Sequence, residues 1–321
     1  MDSPLVSPQV LADWIASGRR DLRVVDVRWY LGRPAGAGRA AYESGHVPGA
    51  VHLDVDGELT ASSGPGRHPL PDPRAFVGTL EAAGINDGDT VVAYDDVGGW
   101  VAARLWWMLE DLGFGAGGHG GVLVLDGGWP AWTTSGGAVA ISTPILTQTP
   151  NPTPNRGSVH LAASWRRVID REALKARLGG VLLLDSRAAA RYRGEIEPID
   201  PVPGHIPTAL NAPTDGNLEL SGRFRDPAEL AGLYRSLRRR AIGAGYDLRR
   251  GGGAAVVVSC GSGISACHSA LAMRIAGLPD PVLYPGSYSD WSTAGEPVAV
   301  GSGPGAPPAA PGMHPAHGAR Q

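Results

Sequence analysis

The strongest chemical feature of the sequence is the run Ser259-Cys260-Gly261-Ser262-Gly263-Ile264-Ser265-Ala266. An apolar stretch ends at a cysteine, two glycines shape a tight loop, and a helical pattern begins at once. Glycines allow positive φ and let successive N–H groups turn inward, and a helix start adds its positive end to the same concavity. A thiolate is stabilised in such a place, and the amides of residues 261–266 would cradle an anion carried on its sulfur. The competing explanation is a buried structural cysteine in a strand-to-helix turn. The glycine spacing and the helix start favour the nucleophile. A cysteine phosphatase would need a guanidinium six positions after the nucleophile to clamp the equatorial oxygens, and position 266 is alanine. No histidine stands at a spacing that identifies a cysteine-protease pair. Sulfur transfer needs only a nucleophilic thiolate and a nest of N–H groups, and that chemistry survives.

The elements that must position this loop follow from a repeat. Asp26 and Asp185, His46 and His205, and Trp132 and Trp291 all recur at one offset of 159 residues, which marks a tandem duplication. Each half alternates short apolar runs with helical patterns. The runs 24–27, 91–94, 122–125, 181–184, 256–259 and 282–284 are continuous, as suits strands covered on both faces of a mainly parallel sheet. The expected fold is α/β, two domains each with a parallel sheet flanked by helices. After Cys260, Ile264, Cys267, Leu271 and Ile275 recur at helical spacing, and Gly277 and Pro279 close that helix. The second half carries six extra residues in the Arg- and Gly-rich stretch 238–253, read as a surface insertion. The expected boundaries are 1–142 for the first domain and 143–160 for a Pro-rich linker. The second domain then takes 161–297, with a disordered Gly/Pro/Ala tail at 298–321.

Composition sets the outer limits. Of 321 residues 43% are hydrophobic, enough for two cores, and only 18% are charged, too few for a coiled coil. The net charge of −3 gives no basic excess, so no nucleic-acid partner is expected. Two cysteines cannot form a secreted disulfide framework, no signal peptide is visible, and no apolar run approaches the ~20 residues of a membrane span. The expected location is the cytoplasm, with no membrane association.

With these residues in view, the chain resembles the tandem-rhodanese sulfurtransferases, the thiosulfate and 3-mercaptopyruvate sulfurtransferase family. Tyr42-Glu-Ser-Gly-His46-Val-Pro-Gly-Ala50 is similar to the first family motif. Residues 92–107 with Asp126-Gly-Gly-Trp129 are similar to the catalytically silent N-terminal domain, with Asp95 where a cysteine would sit. Residues 185–194, Gly204-His205-Ile206-Pro207 and the Cys260 loop are similar to the active C-terminal domain, and the likeness covers about residues 10–297. The resemblance implies a ping-pong cycle in which Cys260 takes a sulfane sulfur from a small anionic donor, becomes a persulfide, and passes the sulfur on. The implied acceptors are cyanide or a thiol, including a thioredoxin-like reductant. It implies no metal and no organic cofactor.

The loop also bears on the donor. Thiosulfate-preferring members resemble Cys-Arg-Lys-Gly, whereas mercaptopyruvate-preferring members resemble the Cys-Gly-Ser-Gly found here. Ser262, His68 and Asp56 then match the proposed Ser-His-Asp relay of those enzymes, with Asp54 as an alternative to Asp56 and a surface-loop histidine as the bland reading of His68. Arg191 matches the substrate-clamping arginine, its guanidinium suited to a carboxylate or sulfonate. The bland alternative for Arg191 is an ion pair with Asp185 or Glu195. Ile199 stands where a second arginine is expected, which removes half of the carboxylate clamp unless Arg193 replaces it. The rival readings are a persulfide carrier without small-donor turnover and a phosphatase of related fold. Asp26 and Asp185, each two residues before an arginine, are expected to form structural ion pairs, and His46 and His205 to hold turns. Cys267 is expected in the core.

Overall fold

A computed structural model describes residues 3–118, 120–142, 156–248 and 256–307 of the chain. The first half runs β1 (Leu5–Val6), α1 (Pro8–Ala16), β2 (Leu22–Asp26), α2 (Ala37–Ser44), β3 (Val51–His52), α3 (Pro73–Ala82), β4 (Thr90–Tyr94), α4 (Ala102–Asp111), β5 (Gly121–Leu125) and α5 (Gly128–Thr134). The second half runs α6 (Arg171–Lys175), β6 (Leu182–Asp185), α7 (Ala189–Arg193), β7 (Leu210–Asn211) and a 3-10 turn (Thr214–Asn217). It continues through α8 (Pro227–Gly243), β8 (Val256–Ser259), α9 (Ser265–Ile275), β9 (Val282–Leu283) and α10 (Ser287–Thr293).

The strands pair in parallel, in the orders β1-β5-β4-β2-β3 and β7-β6-β8-β9. Every residue of β4 and β6 is buried, which is why these strands read as unbroken apolar runs. Three helices start on the same device: Ser7, Asp72 and Asp226 cap the first turn while Pro8, Pro73 and Pro227 fill a position whose N–H has no helical partner.

The duplication extends to side-chain bonding. Arg28 pairs with Asp26, donates to Gly45 O and lies over the Trp129 ring; Arg187 pairs with Asp185, donates to Gly204 O and lies over the Tyr288 ring. Each residue of one set is 159 positions from its counterpart. These buried arginines tie strand ends to turns, as expected for Asp26 and Asp185. His46 and His205 likewise hold their turns: each ring Nδ1 meets a carbonyl (of Tyr42 or Tyr192) at 2.8 Å, and each backbone bridges to Ala140 or Ala299.

Of the stretch read as a surface insertion, residues 238–243 are the last turns of α8 and are mostly exposed, and residues 249–253 lie outside the described residues. One expectation is corrected. The segment expected as a disordered tail begins as an ordered strap. His205 and Ala299 exchange backbone hydrogen bonds, Thr208 N donates to Pro304 O, and Tyr246 Oη donates to Gly305 O. The duplication supplies the reason, because 298–300 are the counterparts of 139–141 in the first domain. Residues 308–321 lie outside the described residues, as do 143–155 of the linker. Beyond that gap, Gly157 N donates to Glu81 O and Val159 joins the core, so the described end of the linker runs along the first domain.

The halves meet along α4 and α9. In α4 only Glu110 is not buried, and Ser265 to Met273 of α9 are all buried. Helices apolar all round belong in an interior, and here that interior is the seam between the domains. Trp107 stacks on Trp165 at 5.8 Å, and Arg274 spans from Glu110 to the Trp106 ring.

Candidate active site

β8 delivers Cys260 to the carboxyl end of its sheet, and α9 starts five residues later. Between them Gly263 turns at φ 82°, where a Cβ would stand 2.5 Å from Pro285 O. That turn aims Gly263 N at the Cys260 sulfur, at 3.1 Å. The Cys260 backbone is fixed from the other side by Ser287. Its hydroxyl accepts from Cys260 N at 3.0 Å and lies 4.0 Å from Sγ. Ser287 is a non-glycine residue at positive φ (52°), and its counterpart 159 positions earlier, Gly128, has φ 58°. A serine standing at a glycine position of the repeat was the available sequence signal for this residue, and it was missed.

Cys260 opens on a cleft of about 350 Å³ at the domain seam. Its lining includes the apolar Trp29, Leu31, Val97, Trp100 and Leu218, the cations Arg67, Arg187 and Arg191, and Gly261, Ser262, Ile264, Ser265 and His268 from the Cys260 loop and α9. Ala266 is buried in the first turn of α9 and is not among the residues lining the cleft.

Ser262, His68 and Asp56 come together across the seam. The Ser262 hydroxyl lies 2.7 Å from His68 Nδ1, and His68 Nε2 lies 3.3 Å from Asp56 Oδ1. Trp29 Nε1 donates to the other Asp56 oxygen at 2.9 Å and sets its ring edge-on to His68. Burial, with help from the Arg104 charge, pushes His68 down to about 4, so its ring is neutral at pH 7. With Nε2–H donated to Asp56, Nδ1 accepts from the Ser262 hydroxyl. His68 is buried rather than on a surface loop, and Asp54 instead caps its own turn through Gly57 N.

Arg191 faces the cleft, but its ion pairs differ from those expected. It binds Glu197 at 2.7 Å and Asp200 at 2.9 Å, not Asp185 or Glu195. Arg193 pairs with Glu195 away from the cleft, and Ile199 is exposed, so neither supplies a second cation. Arg67 does, and sequence reasoning missed it. It comes from the first domain and binds the Asp200 oxygen that Arg191 leaves free. A Cβ on Gly261 would stand 2.9 Å from Arg67 Nη2 and 3.4 Å from Arg191 Nη1. Two guanidinium groups from different domains therefore flank the residue next to Cys260. Arg187 also reaches the cleft wall, but it is committed to Asp185 and Glu197.

The first domain shows the same loop in another state. Asp95 replaces the cysteine, and its carboxylate accepts from the N–H groups of Val97 and Gly99 (both 2.9 Å), Val101 (2.6 Å) and Ala102 (2.8 Å). Burial raises its pKa, while these four donors oppose that and fit the ionised form.

Residues 7–135 and 170–294 each match the family model described as Rhodanese-like domain. The chain is 40% identical over 287 residues to the "Probable 3-mercaptopyruvate sulfurtransferase" of Pseudomonas aeruginosa, covering 88% of this chain and 93% of that protein. It is 32% identical over 294 residues to the thiosulfate sulfurtransferase of Rattus norvegicus, covering 89% and 91%. Among solved structures, the 3-mercaptopyruvate sulfurtransferase from Leishmania major matches with a TM-score of 0.71 at 27% identity, covering 91% of this chain and 75% of that one.

Proposed function

The chain belongs to the rhodanese family as a tandem-domain sulfurtransferase, and from that premise we propose that Cys260 moves sulfur from 3-mercaptopyruvate to a thiol through an enzyme persulfide. The observation that carries the choice of donor is the Ser262–His68 hydrogen bond beside a Cys260 loop with no cation of its own.

In the first half-reaction the Cys260 thiolate attacks the donor sulfur, an S–S bond forms and the C–S bond breaks. The departing electron pair leaves pyruvate as its enolate, which takes a proton to become pyruvate. Ser262 would hydrogen-bond the developing enolate oxygen, a role supported by its hydrogen bond to neutral His68, which would hold that hydroxyl in one orientation. Arg191 and Arg67 would hold the donor carboxylate, both guanidinium groups being tied to Asp200. The new sulfur remains on Cys260, supported by Gly263 N. In the second half-reaction an acceptor thiolate attacks the outer sulfur and releases the Cys260 thiolate; cyanide attacking there gives thiocyanate.

Thiosulfate is the second donor to consider, favoured by the pair of guanidinium groups beside Gly261, which suits a dianion. The first domain is the silent one, a reading supported by Asp95 in the place of the nucleophile. Both cysteines are free and buried, which supports work in a reducing compartment such as the cytoplasm.

The test is intact mass of the reduced protein after incubation with 3-mercaptopyruvate or with thiosulfate, beside a Cys260→Ser control. The expected result is a gain of one sulfur atom that the control lacks, faster with 3-mercaptopyruvate. A faster gain with thiosulfate would overturn the donor assignment, and no gain with either would leave the carrier reading in its place.

A further inference from the structure

Residues 66–68 of the first domain lie against the second, and each of them engages it. Gly66 turns at φ 80°, where a Cβ would stand 2.5 Å from Gly286 O and 2.9 Å from Ser289 Oγ. Arg67 N donates to Ser289 Oγ at 3.1 Å, the Arg67 guanidinium binds Asp200, and the His68 ring meets Ser262. Ser289 is buried in α10. It donates its hydroxyl to Gly286 O at 3.0 Å and its backbone N–H to Gly261 O at 2.9 Å. One residue thus holds both the backbone of Arg67 and the backbone next to Cys260.

The duplication separates what the fold needs here from what it does not. Tyr288 N donates to Cys260 O at 3.0 Å, and its counterpart Trp129 N donates to Asp95 O at 2.7 Å, so that bond is common to both domains. Ser289 breaks the correspondence. Its counterpart 159 positions earlier is Pro130, which has neither a hydroxyl nor an N–H to give, and α5 forms all the same. The short helix therefore does not require the serine, and the bonds of Ser289 to Arg67 and Gly261 belong to the Cys260 copy alone. His68 has holds of its own: Arg104 donates to His68 O at 2.9 Å, and the ring is fixed between Ser262 and Asp56. The Arg67 N–H rests on Ser289, so losing that hydroxyl releases Arg67 before it releases His68.

We propose that Ser289 is a positioning residue that ties Arg67 N to Gly261 O, so that the Arg67 guanidinium is held beside Gly261 to receive the anionic group of the donor. The proposal rests on the reading of Arg67 as one arm of the donor clamp.

The experiment is steady-state sulfur transfer by the full chain with 3-mercaptopyruvate and with thiosulfate, beside urea unfolding of each variant. Ser289→Ala removes the acceptor of Arg67 N and leaves the backbone bond to Gly261. It is expected to raise KM about fivefold, the scale of one neutral hydrogen bond, with kcat within about twofold of the parent. Ser292→Ala makes the same change one turn further along α10, at a buried hydroxyl with no hydrogen-bond partner among the described residues, and is expected to leave KM alone. With Arg67→Gln already present, Ser289→Ala is expected to add less than about twofold to KM, because a residue acting through Arg67 then has nothing left to position. A stability loss in Ser289→Ala with KM unchanged would mark a merely structural serine and overturn the proposal. A KM rise that multiplies in full with that of Arg67→Gln would overturn it too. Should Ser289→Ala not fold, Gly66→Ala decides. It keeps the serine but drives the chain at Arg67 off Gly286 O, and KM is expected to rise about fivefold or more; a KM equal to that of the parent would overturn the proposal. Turnover of neither donor by the parent would remove the clamp reading together with this one, whereas parent turnover with an unshifted KM in Ser289→Ala removes this one alone.

Discussion

His68 Nδ1 stands 2.7 Å from Ser262 Oγ across 194 residues of sequence and across the seam between the two domains. The second domain carries Cys260, the proposed nucleophile, but the ring bonded to the neighbouring Ser262 hydroxyl belongs to the first. On the proposed reading, a single rhodanese-like half of this chain lacks part of the site.

That dependence predicts a pattern of rates. Ser262→Ala and His68→Asn should each slow persulfide formation from 3-mercaptopyruvate about 10²-fold, the usual scale for one positioned proton-handling group. Because the two act as a unit, the double variant should be little slower than either single variant. Rapid-quench mass measurement on the three variants checks this. Independent, multiplicative losses would mean that the 2.7 Å contact does not operate in the reaction.

The guanidinium pair predicts a binding effect. Arg191→Gln and Arg67→Gln should each raise KM for the donor about 10–100-fold with a smaller change in kcat, as expected for losing a charge-assisted hydrogen bond of about 1.5–3 kcal/mol. Steady-state kinetics with each donor reads it. If only Arg191→Gln raises KM, Arg67 serves Asp200 alone and the clamp has one arm.

The turn at Gly263 predicts a stability cost. Alanine there meets both the positive φ and the Pro285 carbonyl 2.5 Å from its Cβ, so Gly263→Ala should lose about 1–3 kcal/mol in denaturant unfolding and most of its sulfur-transfer rate. Gly245→Ala, at similar φ but with open space around its Cβ, should lose less. Equal losses in the two variants would put the whole effect in the backbone angle.

A pH effect follows from His268. Its ring is buried between Phe224, Asn217 and Gly98 O, and burial lowers it to about 4. A histidine depressed in the folded state stabilises fully above its unfolded value of about 6.5, and that contribution is lost as pH falls toward 4. The stability of the parent relative to His268→Gln should thus fall by about 1.4 kcal/mol per pH unit over that window and level off outside it. Paired urea titrations between pH 7.5 and 4 measure it. A constant difference would mean that the ring protonates freely in the fold.

What was legible in the sequence was whatever local chain geometry dictates. The Cys260 loop announces itself because a strand end, two glycines and a helix start are contiguous, and the repeat because its anchors keep one offset. Arg67 was not read although it is the neighbour of His68, because it becomes part of the site only when the first domain folds against the second. Ile199 drew attention as a missing cation, yet its replacement comes from 132 positions earlier in the chain. Composition misjudged residues 298–307: the stretch is rich in Gly, Pro and Ala, but backbone bonds with Arg193, His205 and Thr208 and the Tyr246 hydroxyl hold it in place as a strap. Ser287 was a readable case left unread, as a serine aligned on a glycine that turns the chain left-handed.

Asp95 gives the duplication a further meaning. In pharmacological terms, the proposed reading makes the first domain a permanently inhibited copy of the second: the Asp95 carboxylate fills its loop as a tethered ligand that no dialysis removes. On that reading a small anion taken up in this type of loop goes to the Cys260 side, and the duplicated chain is expected to titrate with one equivalent rather than two.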